Sequence, residues 1–314
     1  MSNYVERFFL LFVLFYCIIG GDKVPDKLLD LKNDLVFQEL FGQQKNCQIT
    51  SHLLSLILKR DIFNIDLDAN KRMLGNRQNS KTGRLDIRVK FNNGEDCNIE
   101  LQVAPYHFMP ERMLDYWSVM YNTKINSGQQ YDSLKPSISI LIADYNLNQL
   151  KNIEKYHTVW NLREKDFSNL IISNNIELHI LEIPKIKNNE LLKDELAQWL
   201  KFIENPENEE VNCFMSENKF FKQAREELAY LSGDPDFQRL VESRAGFLMD
   251  QDVEKRANFE DGKAVGLSEG RAAGISEGII QNKKEIAKKM KKENMPIDQI
   301  IKLTDLSKEE IEKL

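Results

Sequence analysis

Residues 84–103 constrain the fold more than any other stretch. Two runs of alternating apolar and polar residues, Arg84 to Phe91 and Cys97 to Val103, flank the turn-forming Asn92-Asn93-Gly94. A period of two on either side of a turn signal predicts a β-hairpin. In the first strand Leu85, Ile87, Val89 and Phe91 share one face, which leaves Asp86, Arg88 and Lys90 on the other. In the second, Cys97, Ile99, Leu101 and Val103 fall on the apolar side, so Asn98, Glu100 and Gln102 point the opposite way. Asp86, Glu100 and Gln102 are therefore expected to converge on one polar face.

The flanking patterns say what the hairpin packs against. From Asp30 to Arg60 apolar residues recur at helical spacing on either side of Gly42, which predicts two helices. Residues 61–71 show no decisive period, and Leu74 to Gly83 reads as a polar loop. Pro110 to Ser127 is expected to be a helix, with proline at its start, Gly128 at its end and Met113, Trp117, Met120 and Tyr121 as its apolar stripe. Ser137 to Ala143 and Glu177 to Ile183 are continuously apolar strand candidates of the kind buried on both faces. The order predicts an α/β core over residues 30–185, a central mixed sheet flanked by helices. After Pro184 the chain turns helical and charged, strongest over Leu191 to Ile203 and Phe220 to Leu231, so residues 186–260 form a helical region.

Next, over residues 261–282, Gly262, Gly266, Gly270, Gly274 and Gly278 stand four apart. On a helix they would make a bare stripe, suited to close approach of a second copy; a flexible spacer is the other reading. Residues 283–314 carry a basic run, a break at Met295-Pro296 and a capping box at Ser307-x-x-Glu310, which predicts a small helical tail.

A net charge of -6 denies the chain a general basic footprint for nucleic acid, so any binding to phosphates must be local or cation-assisted. Four separated cysteines without a C-x-x-C pair indicate neither a disulfide framework nor a zinc knuckle. With no ligand spacing among His52, His107, His157 and His179, each is expected to be a surface or satisfied core histidine. Nucleotide-binding loops and the serine-hydrolase elbow are absent from the sequence. A cytoplasmic protein is the default, and membrane association is not expected. Residues 1–29 form an apolar extension in which Phe8 to Ile19 is too short to span a bilayer. Its length suits a signal-peptide core, but no A-x-A site follows. An export signal, an interfacial helix and an upstream start all remain open readings.

By spacing alone, Asp-x13-Glu-x-Gln describes either a metal site or a solvated sheet face on which Asp86 pairs with Arg88 or Lys90. Four ordered blocks add to it: Leu31-Lys32-Asn33-Asp34-Leu35-Val36-Phe37-Gln38-Glu39-Leu40-Phe41-Gly42, Arg84-Leu85-Asp86-Ile87, Ile99-Glu100-Leu101-Gln102, and Gly128-Gln129-Gln130-Tyr131. With Arg112 and Tyr116 they resemble the PD-(D/E)XK nuclease family transposases, also called recombination-promoting nucleases, over about Leu31 to Pro184. The resemblance implies a restriction-endonuclease-like fold and a magnesium-dependent DNA endonuclease, manganese being the alternative ion, linked to recombination or mobile elements. It implies metal ligands at Asp86 and Glu100, with Gln102 in the place of the motif lysine. A glutamine there can act neither as a base nor as a cation, so water activation falls to the metal. Asp34 matches an acidic position that could add a ligand or hold a metal-bound water. Its other reading is a helix N-terminal acid favoured by the dipole.

Arg112 and Tyr116, one turn apart, are candidates to face DNA or to pair with each other. Where the family usually has Phe-Lys, this chain has Phe37-Gln38, which removes a phosphate contact. The alternative function is accordingly a catalytically degenerate relative that binds DNA or protein through the same fold.

Overall fold

A computed structural model describes residues 27–69, 87–124, 130–191 and 193–314. They form two compact units that divide between Ala245 and Gly246.

The first unit begins with the two expected helices, α1 (Asp34–Gly42) and α2 (Cys47–Leu58). The Asn33 side chain caps α1 by accepting from the Leu35 amide at 3.0 Å. Lys59 ends α2 in a left-handed conformation, φ 54°. The stretch without a decisive period contains strand β1 (Ile65–Ala69), which exists through its pairing with β2 (Ile87–Phe91). The outer edge of β1 is closed by Gln44, whose amide donates to the Ile65 carbonyl at 3.0 Å and accepts from the Leu67 N–H at 2.8 Å. One side chain thus mimics a neighbouring strand and blunts an edge that would otherwise pair elsewhere.

Strands β2 and β3 (Asp96–Gln102) are the predicted antiparallel hairpin, with Ile87 opposite Ile99 and Val89 opposite Cys97. Helix α3 (Met109–Asn122) follows and stops short of the predicted Ser127. Then come β4 (Ser137–Ala143), β5 (His157–Arg163) and β6 (Ile171–Glu182). The sheet order is β1-β2-β3-β4-β6-β5, parallel where β4 joins β3 and β6, and antiparallel elsewhere. Strand β5 has no clear sequence signature, since Val159, Trp160 and Leu162 are all exposed and give no buried alternation.

One face of the sheet carries the main core: Ile87, Val89, Cys97, Ile99, Ile138, Ile140 and Ile142 meet Phe37 and Phe41 of α1 and Leu53 and Leu54 of α2. The helical segment after the sheet, α4 (Asn188–Leu191), α5 (Glu195–Glu204), α6 (Glu209–Phe214) and α7 (Lys219–Gly233), completes it. Trp199 of α5 is fully buried, with edge-on contacts to Phe41, Phe202 and Phe221. Truncating it to alanine should cost about 3–5 kcal/mol. The opposite face is covered by α3, whose Met109 and Met113 pack on Leu141, Ala143 and Ile180.

Helix α8 (Pro235–Lys292) starts in this unit and includes the glycine repeat. In the second unit a Cβ built on any of the five repeat glycines meets no atom within 4 Å. The tail adds α9 (Ile297–Thr304) and α10 (Lys308–Glu312), which close a small cluster of Ala287, Ile300, Leu306 and Ile311. The predicted capping box at Ser307 and Glu310 is present in full. Among the described residues no helix is long and apolar enough to cross a membrane. The run Phe8 to Ile19 lies outside them.

Candidate active site

Of the two readings that spacing alone allows for the polar side of β3, the solvated sheet face is not what the structure has. Helix α3 lies over that side, so Glu100 is 3% exposed and Asn98 is fully buried. A carboxylate so enclosed requires a positive partner, because desolvation strongly disfavours an isolated buried charge. Arg112 of α3 supplies it, with Nη2 2.5 Å from Glu100 Oε1. The guanidinium is itself held in place. Its Nε donates to the Tyr116 hydroxyl at 2.6 Å, and its carbon stands 5.2 Å from the Tyr116 ring centre and 5.7 Å from that of Tyr106.

Residues 112 and 116 meet because they are one helical turn apart, and Met109 and Met113 fix the rotation of the helix by burying the adjacent stripe. Tyr116 is 3% exposed, so its ring is turned inward against Arg112 and offers no surface to a polymeric ligand.

Gln102, two residues beyond Glu100 on the same strand face, is half-buried, and its amide nitrogen donates to the Ala104 carbonyl at 3.0 Å. Its backbone carbonyl accepts from the Asp144 N–H, and the Asp144 carboxylate in turn meets Lys32 at 3.3 Å. Asp34 sits in the first turn of α1, where it accepts from its neighbour's amide and is gripped by Arg244 Nη2 at 2.6 Å and Nε at 3.0 Å. No sequence signal links residues 34 and 244. Gln38 is 5% exposed and so faces the interior. Asp86 lies outside the described residues. It directly precedes Ile87, whose partner Ile99 directly precedes Glu100.

Further along β3 the enclosed polar row continues. Arg88 binds Asp96 at 2.8 Å. Asn98, Ser137 and Ser139 are buried side by side across β3 and β4, and their side-chain polar atoms have no hydrogen-bond partner among the described residues. Lys124 caps this end by donating to the Pro136 and Lys135 carbonyls; burial pushes its ammonium below the usual lysine range.

A second titratable group, invisible to sequence spacing, lies on the opposite face of the sheet. His157 Nε2 is 2.9 Å from His179 Nδ1, and His179 Nε2 is 2.7 Å from Glu177. Burial, and next the neighbouring His179, lower the His157 pKa to about 4. The hydrogen bond from His179 holds the Glu177 carboxyl below its ordinary range. Among the described residues no group of three or more His, Cys, Asp or Glu is placed to hold a metal ion.

The family model of the PD-(D/E)XK nuclease family transposases matches residues 31–258, from the loop before α1 into α8. The chain belongs to that family. No curated protein and no solved structure matches it. For a PD-(D/E)XK nuclease family transposase, the six-stranded mixed sheet with flanking helices is the expected restriction-endonuclease-like α/β fold with a helical C-terminal region. The membership supports a nuclease- or transposase-like role, DNA as the substrate, and the divalent-metal chemistry general to PD-(D/E)XK nucleases. Glu100 and Gln102 both lie on β3, inside the matched residues.

Proposed function

We propose that this protein is a magnesium-dependent DNA endonuclease whose metal ligands are Glu100 and Asp86, with manganese as the alternative ion. The observation that carries the reading is the Glu100 carboxylate, buried on the central strand beside a cation and inside the family match. Its donor set suits a hard cation, since magnesium needs only one or two carboxylates and keeps several waters. A site that already stabilises the Arg112 charge at 2.5 Å tolerates positive charge at that place. When bound, the metal would polarise the scissile phosphate and lower the pKa of a coordinated water.

The chain's own residues do the rest. Glu100 presents an oxygen from a strand paired on both sides, so its position cannot drift. Arg112 orients that carboxylate and, being partly exposed, carries a positive charge to the edge of the site, where a substrate phosphate would be attracted to it. Tyr116 acts through Arg112 by fixing the guanidinium plane. Gln102 supplies an amide to orient water, without basic or cationic character. Asp34, engaged by Arg244, positions the first turn of α1.

The test is nicking of supercoiled plasmid by the full chain with magnesium, with manganese and with chelator. Metal-dependent nicking that falls at least about 100-fold in Glu100→Gln and in Asp86→Ala supports the reading. Equal nicking by those variants, or none by the folded parent, overturns it.

A further inference from the structure

Directly after Gln102 the chain presents a loop, residues 103–108, that runs from β3 to α3 with the sequence Val-Ala-Pro-Tyr-His-Phe. Tyr106 is 46% exposed, Phe108 is 59% exposed, and His107 between them is exposed as well. The loop is pinned at both ends. Gln102 donates to the Ala104 carbonyl, the Met109 N–H donates to the Tyr106 carbonyl at 3.2 Å, and Met109 is itself fully buried. Phe108 stands edge-on to Tyr106 at 6.4 Å and to His107 at 4.9 Å, so the rings form one small cluster.

The cluster reaches the candidate active site through one residue. Arg112 touches the Glu100 carboxylate at 2.5 Å and covers the Tyr106 ring at 5.7 Å. Adding those contacts puts the ring within about 10 Å of the carboxylate, inside the reach of nucleotides adjoining a phosphate held there.

Resting on the nuclease reading above, we propose that the rings of Tyr106 and Phe108 bind unpaired bases next to the scissile phosphate, so that the substrate class is single-stranded or splayed DNA. In a duplex the flat faces of the bases are covered by their neighbours, and an exposed ring beside the backbone gains nothing from them. An unpaired base offers an open face, and base–aromatic stacking is among the strongest sequence-independent contacts to a single strand. Charge points the same way. A net charge of -6 denies the chain a general basic footprint, so contacts that do not depend on phosphate charge, stacking among them, carry more weight in its binding.

The test measures binding by full-length protein in calcium, chosen to hold DNA without cutting it, at one fixed salt concentration. The probes are a fluorescein-labelled 20-nucleotide single strand, the same sequence as a duplex, and a single strand carrying 2-aminopurine. The parent should bind the single strand at least tenfold more tightly than the duplex, with quenching of 2-aminopurine on stacking. Phe108→Ala should weaken single-strand binding by about 5- to 150-fold and relieve the quenching, which is the loss of one stack. Phe108→Trp should restore both, and Phe167→Ala, which removes an exposed ring from the β5–β6 loop, should change neither.

Equal affinity for both DNAs with no effect of Phe108→Ala, alongside metal-dependent plasmid nicking, overturns the unpaired-base inference and leaves the nuclease reading standing. Absence of both DNA binding and nicking removes the nuclease reading, and this inference with it.

Discussion

Replacing Arg112 by methionine tests the central geometry without relying on catalysis. The substitution keeps most of the apolar stem that packs on Tyr106 and Tyr116 and removes the charge opposite Glu100. Two unit charges about 4 Å apart at an effective dielectric near 20 attract by about 4 kcal/mol, and breaking a buried pair by deleting one partner costs about 3–5 kcal/mol. Arg112 is 31% exposed while Glu100 is only 3% exposed, so solvent screens one end of the pair. The loss should therefore lie at the low end, about 2–3 kcal/mol. For a unit of this size that lowers the melting temperature by roughly 4–12 °C.

Urea unfolding followed by circular dichroism on the parent, Arg112→Met, Glu100→Gln and the double variant gives the coupling directly. The double variant should recover most of the loss, with an interaction of about 2 kcal/mol, because the charge left behind has gone. Millimolar magnesium or manganese should raise the melting temperature of Arg112→Met more than that of the parent, as a bound cation replaces the arginine. A loss under about 0.5 kcal/mol, or the same loss in the Glu100→Gln background, would refute the buried pair as the organising contact of the site.

Three further outcomes follow from the rest of the molecule. With a folded pKa near 4 against an ordinary 6.5, His157 is neutral in the native state. Its stabilising contribution is complete above pH 6.5 and lost as pH falls from there towards 4; urea titrations should show up to about 3 kcal/mol of loss that His157→Gln abolishes. Glu182 is fully buried, accepts from the Leu147 N–H at 2.8 Å and pairs with Lys185, so Glu182→Ala should destabilise by about 3–5 kcal/mol in the same assay. In α8, Gly270→Ala meets open space and should raise helix stability by about 1 kcal/mol, seen as increased ellipticity on heating.

What the sequence shows and what it hides separate along physical lines. The hairpin was legible because its hydrocarbon side chains, Ile87, Val89, Cys97 and Ile99, all fall on one face and its polar ones on the other, which writes a period of two into the chain. The buried strand β4 was legible from its apolar run, and α10 from its capping box. Strand β5 was not, since Trp160 and Leu162 are exposed and its place is set by hydrogen bonds to β6 rather than by burial. At the site, Glu100 and Gln102 could be placed on one strand face from alternation alone. That α3 buries this face could not, because Glu100 and Asn98 look like surface residues until Met109 and Met113 are seen packed nearby. The grip of Arg244 on Asp34 and the His157–His179 pair are contacts between distant positions that leave no local trace.

The pairing of β3 on both flanks also fixes how the gene can change. Each of its seven residues has a partner in β4, from Asp96 opposite Ser137 to Gln102 opposite Ala143. Deleting or inserting one codon within 96–100 would exchange the directions of Ile99 and Glu100, driving a carboxylate in among Phe37, Phe41 and Ile140 and turning a hydrocarbon towards Arg112. Single-codon length changes should therefore be absent from this strand in functional descendants, whereas the exposed turn at 92–94 leaves them room.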